Sequence, residues 1–249
     1  MKRLDLVKIF FRSLLIQSSL NFRRMQNLGF VYALMPMARR KNGAIQGPSD
    51  LMQRHLVFFN THPYMSASII GSVVRLEEDP ALDQDGDVVV RLKKTMMGPY
   101  AAIGDTFFWG ALRPFAAIIA VTAVLQGALW APIVFLAIYE PFHIWIRWKG
   151  FLEGYRLGPQ GFQFVQALNL TAMAPKIRWL SVVCLAIMTA WWLESQRIVP
   201  IEGFHGYYGI MACALVLSFV LMFSMAIRQR VSPLLLIYAM TFISFLVSM

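Results

Sequence analysis

A single carboxylate, Asp105, sits in the middle of a stretch otherwise fit for a bilayer: residues 97–114 read M-G-P-Y-A-A-I-G-D-T-F-F-W-G-A-L-R-P. Placing an ionisable group in such a segment is costly, so its presence points to function, such as accepting hydrogen bonds from hydroxyls. Gly98, Pro99, Gly104 and Gly110 interrupt the stretch and Arg113 nearly closes it. Glycine and proline at that depth predict a broken or re-entrant helix, with its freed backbone groups covered by protein or lining a wet cavity. The other reading is a tight helix-packing motif in which Asp105 pairs with a basic neighbour.

A second set of hydrogen-bonding side chains lies in R-H-L-V-F-F-N-T-H-P-Y, where His55, Asn60, Thr61 and His62 stand among aromatic residues. Pro63 predicts a break at the end of a helix, freeing carbonyls and the Asn-Thr-His side chains to face a cavity. Fixed donors and acceptors beside ring faces suit a sugar, whose hydroxyls need hydrogen bonds and whose pyranose face rests on rings. A helix-cap network at a proline break explains the same residues. The spacing of seven places His55 and His62 on one face of a helix, but no third ligand accompanies them, and metal sites need three or four. No metal is expected.

Glu140 and His143, three apart in Y-E-P-F-H-I-W-I-R-W-K-G, can share a helix face and a proton or hydroxyl. The surrounding Trp and Tyr, with Arg147 and Lys149, have the composition of a membrane-interface belt, and the pair also reads as an interfacial hydrogen bond. The acidic run E-E-D-P-A-L-D-Q-D-G-D at 77–87 lacks EF-hand spacing and reads as a solvated loop.

These candidates must be positioned by membrane helices. The chain is 58% hydrophobic and 14% charged, with a mean hydropathy of +0.57 over 249 residues. A soluble domain carries about a quarter charged residues. The net charge of +10 therefore belongs to cytoplasmic loops and lipid surface rather than to nucleic acid. Cys184 and Cys213 lie in apolar runs and read as small hydrophobes.

In chain order, the first twenty residues form a basic amphipathic helix with Val7, Phe10, Phe11 and Leu14 on one face, suited to the membrane interface. Residues 21–37 continue as a helix, and 42–50 form a loop. Residues 115–138 are the longest clean apolar run, long enough to span. Residues 150–178 are glycine-rich, then basic, and read as cytoplasmic. Three apolar segments follow at 179–193, 207–227 and 233–249. The Arg228-Gln229-Arg230 turn is placed inside and the loop at 194–202 outside. The expected fold is all-α and polytopic. Residues 1–45 form an amphipathic membrane-surface arm, 46–178 a core with re-entrant or broken helices and one long span, and 179–249 the C-terminal transmembrane helices.

The motifs F-x-R-S-L-L-I-Q-S-S-L-N-F-x-R-M-Q, R-H-L-x-F-F-N-T-H-P-Y and M-G-P-x-A-x-I-G-D-T-F-F-W-G-A-L-R-P, with G-x-x-x-G-Y-x-L-G and F-Q-F-V-Q after them, resemble the IID component of the mannose/fructose/sorbose-type phosphoenolpyruvate:sugar phosphotransferase system. They cover roughly residues 4–170 in order. The resemblance implies a multi-pass subunit of the bacterial inner membrane with a cytoplasmic N-terminus. It implies pairing with a IIC subunit, in a higher oligomer of IIC–IID pairs, to pass hexoses inward while soluble IIA and IIB proteins phosphorylate them. The family's phosphohistidines lie on IIA and IIB, so no catalytic or phosphorylated residue and no cofactor is expected here. The sequence agrees in offering no P-loop, nucleophile elbow or recognisable phosphoacceptor histidine. Beyond the F-V-Q segment the chain departs from the family and reads as shortened or divergent.

Two functions follow. In the first, Asn60, Thr61, His62 and Asp105 line or border the hexose path, supported by Gly98, Pro99, Gly104, Arg113, Glu140 and His143. In the second, a IID paralogue without transport serves as a regulator or scaffold, and the same polar residues pack helices. An independent membrane enzyme is disfavoured, because no nucleophile, base and oxyanion donors converge.

Overall fold

The computed structural model describes residues 1–38, 48–79, 87–195, 218, 222, 225–226, 229 and 231–248. Most of the 42–50 loop and the acidic run, Cys213, all but the first two residues of the outer loop at 194–202 and nearly all of the 207–227 segment lie outside the described residues. The chain divides into two compact units, Met1–Met188 and Thr189–Met249.

Every regular element among the described residues is helical. The first unit contains α1 (Arg3–Ser13), α2 (Asn27–Ala38), α3 (Pro48–His55), α4 (Ser66–Glu78), α5 (Asp87–Gly104), a π-helical segment (Asp105–Leu112), α6 (Arg113–Leu125), α7 (Ala131–Leu157), a 3-10 turn (Gly158–Gly161) and α8 (Phe162–Ala167). Helix α9 (Leu170–Ser195) crosses from one unit into the next. In the second unit, α10 (Pro233–Ser248) is an apolar helix whose described side chains are largely exposed. Among the described residues, two helical runs are long and apolar enough to cross a membrane, Val88–Leu125 and Ala131–Thr189. The all-α membrane fold is as expected.

Helices α4 and α7 make the central contact, through small residues that bring two backbones together. A Cβ on Gly71 would lie 2.2 Å from the Phe151 carbonyl oxygen, and one on Gly154 would lie 2.2 Å from the Ser68 carbonyl oxygen. Gly150 and Gly154 thus belong to a packed helix, where they serve close approach.

Helix α1 buries Ile9, Phe10 and Ser13, with Phe10 edge-on to Trp148 at 4.8 Å. Phe10 therefore leaves the expected outer face, while Leu4, Val7, Phe11 and Leu14 keep an exposed apolar stripe at helical spacing.

Four element boundaries differ from the sequence expectation. Residues 21–26 are a turn in which Asn21 and Met25 pair, not the start of a helix. Helix α3 stops at His55, and Phe59 pairs in extended backbone with Met25. The apolar run 115–138 is cut after Leu125 by a tight turn with Gly127 at φ 82°, so α6 and α7 form a hairpin. Finally, Pro99 lies inside a continuous α5; the break expected between 97 and 114 takes the form of the π-helical segment. At its end, Arg113 N–H donates to the Phe108 carbonyl five residues back, the bond that defines this wider helix.

Candidate functional site

The π-helical segment has two faces. Phe107, Phe108, Ala111 and Leu112 are buried, while Asp105, Trp109 and Arg113, each four residues from the next, remain exposed. A carboxylate, an indole and a guanidinium thus share one open face of a helical run long and apolar enough to cross a membrane. Such π-helical segments concentrate at functional sites because the extra residue per turn re-aims side chains.

Against this segment lies His62. It is held in the turn that starts α4, where its carbonyl accepts from Met65 and Ser66 N–H at 3.0 and 3.1 Å. Its ring stacks on Phe108 at 5.2 Å and leans on Trp109 at 4.7 Å. Gly104 makes room: a Cβ there would lie 2.3 Å from His62 Cγ. Tyr64 N–H donates to His62 Nδ1 at 3.3 Å, which leaves the proton of the neutral ring on Nε2. That nitrogen is buried and has no hydrogen-bond partner. Burial, reinforced by the Arg147 guanidinium, holds the imidazole down at about 3, so it is neutral and a donor at physiological pH.

Tyr64 links His62 to α7. Its ring stacks on His143 at 4.3 Å, lies beneath the Arg147 guanidinium at 4.6 Å, and its hydroxyl accepts from Tyr139 at 3.2 Å. His143 Nε2 meets Glu140 Oε2 at 2.5 Å. Donation to that carboxylate makes His143 Nδ1 an acceptor, and it too is buried and unpartnered, as is Arg147 Nε. Two N–H donors and one lone pair around a tyrosine ring form a kit for groups that both donate and accept, as hydroxyls do. A buried polar group left unsatisfied costs about 1–3 kcal/mol, so three together call for a partner.

The other expected residues fare differently. Thr61 is locked: its N–H donates to Gln26 Oε1 at 3.1 Å, its carbonyl accepts from Gln26 Nε2 at 2.8 Å, and its hydroxyl donates to the Met97 carbonyl at 3.1 Å. It braces the His62 turn. Asn60 is exposed, with its backbone N–H on Met97 Sδ at 3.3 Å. Gly98 and Pro99 are exposed on α5, and nothing lies within 4 Å of a Cβ placed on Gly98.

His55 belongs to a different cluster, not to a shared helix face with His62. Its Nε2 meets Glu77 Oε1 at 3.1 Å, Arg54 reaches the same oxygen at 3.3 Å, and Lys93 Nζ lies 3.4 Å from His55 Nδ1 and 4.1 Å above the Phe30 ring. This ionic knot ties α2, α3, α4 and α5. Among the described residues, no group of three or more His, Cys, Asp or Glu side chains converges.

Tyr64, Tyr139, Arg147, Phe108 and Trp109 were not singled out by sequence. A signal existed: Tyr139, His143 and Arg147 recur every four residues and so share a face of α7. The interface-belt composition of that stretch hid it.

Comparison with known proteins gives a consistent picture. The family model of the PTS system mannose/fructose/sorbose family IID component matches residues 1–249. The chain is 27% identical to the fructose permease IID component of Bacillus subtilis (strain 168) over 94% of its length and 90% of the relative's. It is 36% identical to the PTS system mannose-specific EIID component of Escherichia coli (strain K12) over 62% of its length, spanning 56% of that relative. Two solved structures are similar. One, from a complex of the mannose transporter ManYZ with microcin E492, has a TM-score of 0.58 at 27% identity and covers 98% of this chain and 95% of that one. The other, a membrane protein, has a TM-score of 0.71 at 26% identity with the same coverages.

Proposed function

The chain belongs to the mannose/fructose/sorbose family of IID components and is a membrane subunit of a sugar phosphotransferase system; from that premise we propose that His62 and the open face of the π-helical segment border the path of a hexose. The observation that carries this reading is the His62 Nε2–H: buried, neutral, without a partner, and flanked by an aromatic ring on which a pyranose can rest. His143 Nδ1 and Arg147 Nε extend the same capacity, while Asp105 can accept from two hydroxyls at once.

In this reading the chain works with a IIC subunit, which covers the exposed Asp105–Trp109–Arg113 face, in a higher oligomer of IIC–IID pairs. Soluble IIA and IIB proteins phosphorylate the arriving sugar, and this chain supplies positioning and no chemistry. Asn60 lies beside the path, Thr61 and Gly104 hold His62 in place, and Glu140 orients His143. At Gly98 no described residue lies within 4 Å of an added Cβ, so a partner backbone can approach there, and Pro99 follows it on α5. The protein lies in the bacterial inner membrane with several spans and a cytoplasmic N-terminus. The exposed Leu4–Val7–Phe11–Leu14 stripe rests in the lipid interface. The three-part division at 45 and 178 is kept as the functional one.

The test is uptake of labelled hexoses in cells lacking their own mannose-type system and given this chain with its genomic IIC, IIB and IIA neighbours. Asp105→Asn is expected to leave the complex assembled and cut uptake about a hundredfold, the scale of a lost positioning contact. His62→Ala is expected to raise the apparent KM about tenfold, as loss of one buried hydrogen bond does. Normal uptake by both variants would remove the sugar path from this cluster. A wild-type complex that assembles but transports nothing would favour the regulatory or scaffold reading.

A further inference from the structure

A second feature lies away from the His62 cluster, along α5. Residues Val88, Arg91, Leu92, Thr95, Met96, Pro99 and Tyr100 recur at helical spacing and form one wall of a cleft whose other wall is Pro159 and Phe162; its volume is about 510 Å³. That volume is within the range of pockets that hold small organic ligands, about 300–1,000 Å³. From Val88 to Tyr100 the wall extends about 18 Å at the helical rise.

The charge along this wall is polarised. Arg91, Lys93 and Lys94 fall in its first half, and from Thr95 to Gly104 no charged residue occurs. Lys93 is buried in the ionic knot, but Arg91 and Lys94 are exposed. Arg91 lines the cleft, and no acid among the described residues forms an ion pair with it. The helical run that contains the cleft, Val88–Leu125, is 38 residues long. At about 57 Å it is nearly twice the hydrocarbon thickness of a bilayer, so a headgroup boundary must cross it. The change from basic to uncharged residues marks where.

We infer that this cleft is a phospholipid site: an anionic headgroup sits on the Arg91 guanidinium and one acyl chain lies along α5 toward Tyr100, between that helix and Pro159–Phe162. The guanidinium matches a phosphate by paired N–H donors, and the apolar wall matches a tail. A purely apolar partner helix would leave the exposed Arg91 beside the cleft unmatched. This inference rests on the membrane placement of the chain and not on the sugar reading of His62.

The test is native mass spectrometry of the complex with its IIC subunit, purified in detergent and titrated separately with phosphatidylglycerol and phosphatidylcholine. The wild type should retain one more phosphatidylglycerol per IID chain than Arg91→Gln, with retention falling about tenfold, as expected for a charge-assisted hydrogen bond. Thr95→Trp, which fills the cleft, should lose the same lipid. Equal retention of the two lipids, or retention unchanged in both variants, would overturn the site as adventitious apolar contact. In cells, p-benzoylphenylalanine at Phe162, where it replaces one ring of the cleft wall with another, should cross-link to phospholipid; cross-linking to the IIC chain instead would show a protein in the cleft and end the proposal. This last arm decides the matter even if a variant fails to assemble.

Discussion

Two clusters of buried polar side chains, one at His55 and one at His62, are seven residues apart in sequence and opposite in character. Around Glu77 each polar group meets another: His55 and Arg54 reach the carboxylate, and the Lys93 ammonium reaches His55 and lies over two phenylalanine rings. Around Tyr64, His62, His143 and Arg147 each keep a buried nitrogen without a partner. Both clusters tie helices together, but only the second leaves hydrogen-bonding capacity unspent. A satisfied buried network stabilises its fold, and an unsatisfied one is tolerated where something else completes it. The comparison therefore separates a histidine satisfied by its neighbours from one with an unpartnered nitrogen when their sequence contexts look alike.

The strongest way to break the comparison is at the closed cluster. Glu77→Ala leaves the charges it gathers buried without their carboxylate, and loss of one partner from such a group costs about 3–5 kcal/mol. The melting temperature of the detergent-solubilised complex should fall steeply, and uptake should fall only in proportion to the folded protein remaining. A variant that folds normally but does not transport would make His55, not His62, the functional partner. Next in size is Gly104→Ala. The new methyl group must displace the base of the His62 ring, an overpacking cost of about 1–3 kcal/mol. Here uptake should be lost from a complex that still assembles. Equal losses of assembly and uptake would place Gly104 among the structural glycines with Gly71 and Gly154.

The smallest effect is in pH. Burial outweighs the Glu77 hydrogen bond and, with Lys93 opposing a second positive charge, holds the His55 imidazole down to about 4 from an ordinary 6.5. The unfolded chain therefore binds a proton before the folded one does. The stability held by the neutral ring is complete above 6.5 and is lost as pH falls toward about 4. Over the first pH unit below 6.5 the loss should be about 1 kcal/mol, read as a lower melting temperature. His55→Gln should flatten that slope. His62→Gln should leave the His55 part in place, and an unchanged slope in His55→Gln would remove the knot from the pH response.

Much of the site was legible because its residue types are rare where they occur. Asp105 stood out as a carboxylate in an apolar stretch, and the N-T-H-P-Y turn stood out as hydrogen-bonding groups among rings. Glu140 and His143 were paired by spacing, and they do bond. What could not be read was which of these groups would be consumed by neighbours distant in sequence. Thr61 is engaged by Gln26, 35 residues earlier. His55 is engaged by Glu77 and Lys93, 22 and 38 residues later. Gly98 and Gly104 look alike as breaks in one motif, yet open space faces the first and an imidazole the second.

The sequence alone determined the class of molecule: a basic, apolar, helical membrane chain carrying the ordered motifs of the IID family. Those properties follow from composition and local spacing, which every residue expresses wherever it ends up. The tertiary structure decided which polar groups are satisfied and which are free, that the break near Asp105 is a wider helix rather than an interruption, and that Arg147 and Tyr64 join His62. Those outcomes depend on contacts between segments tens of residues apart, where a buried donor either meets its acceptor or does not.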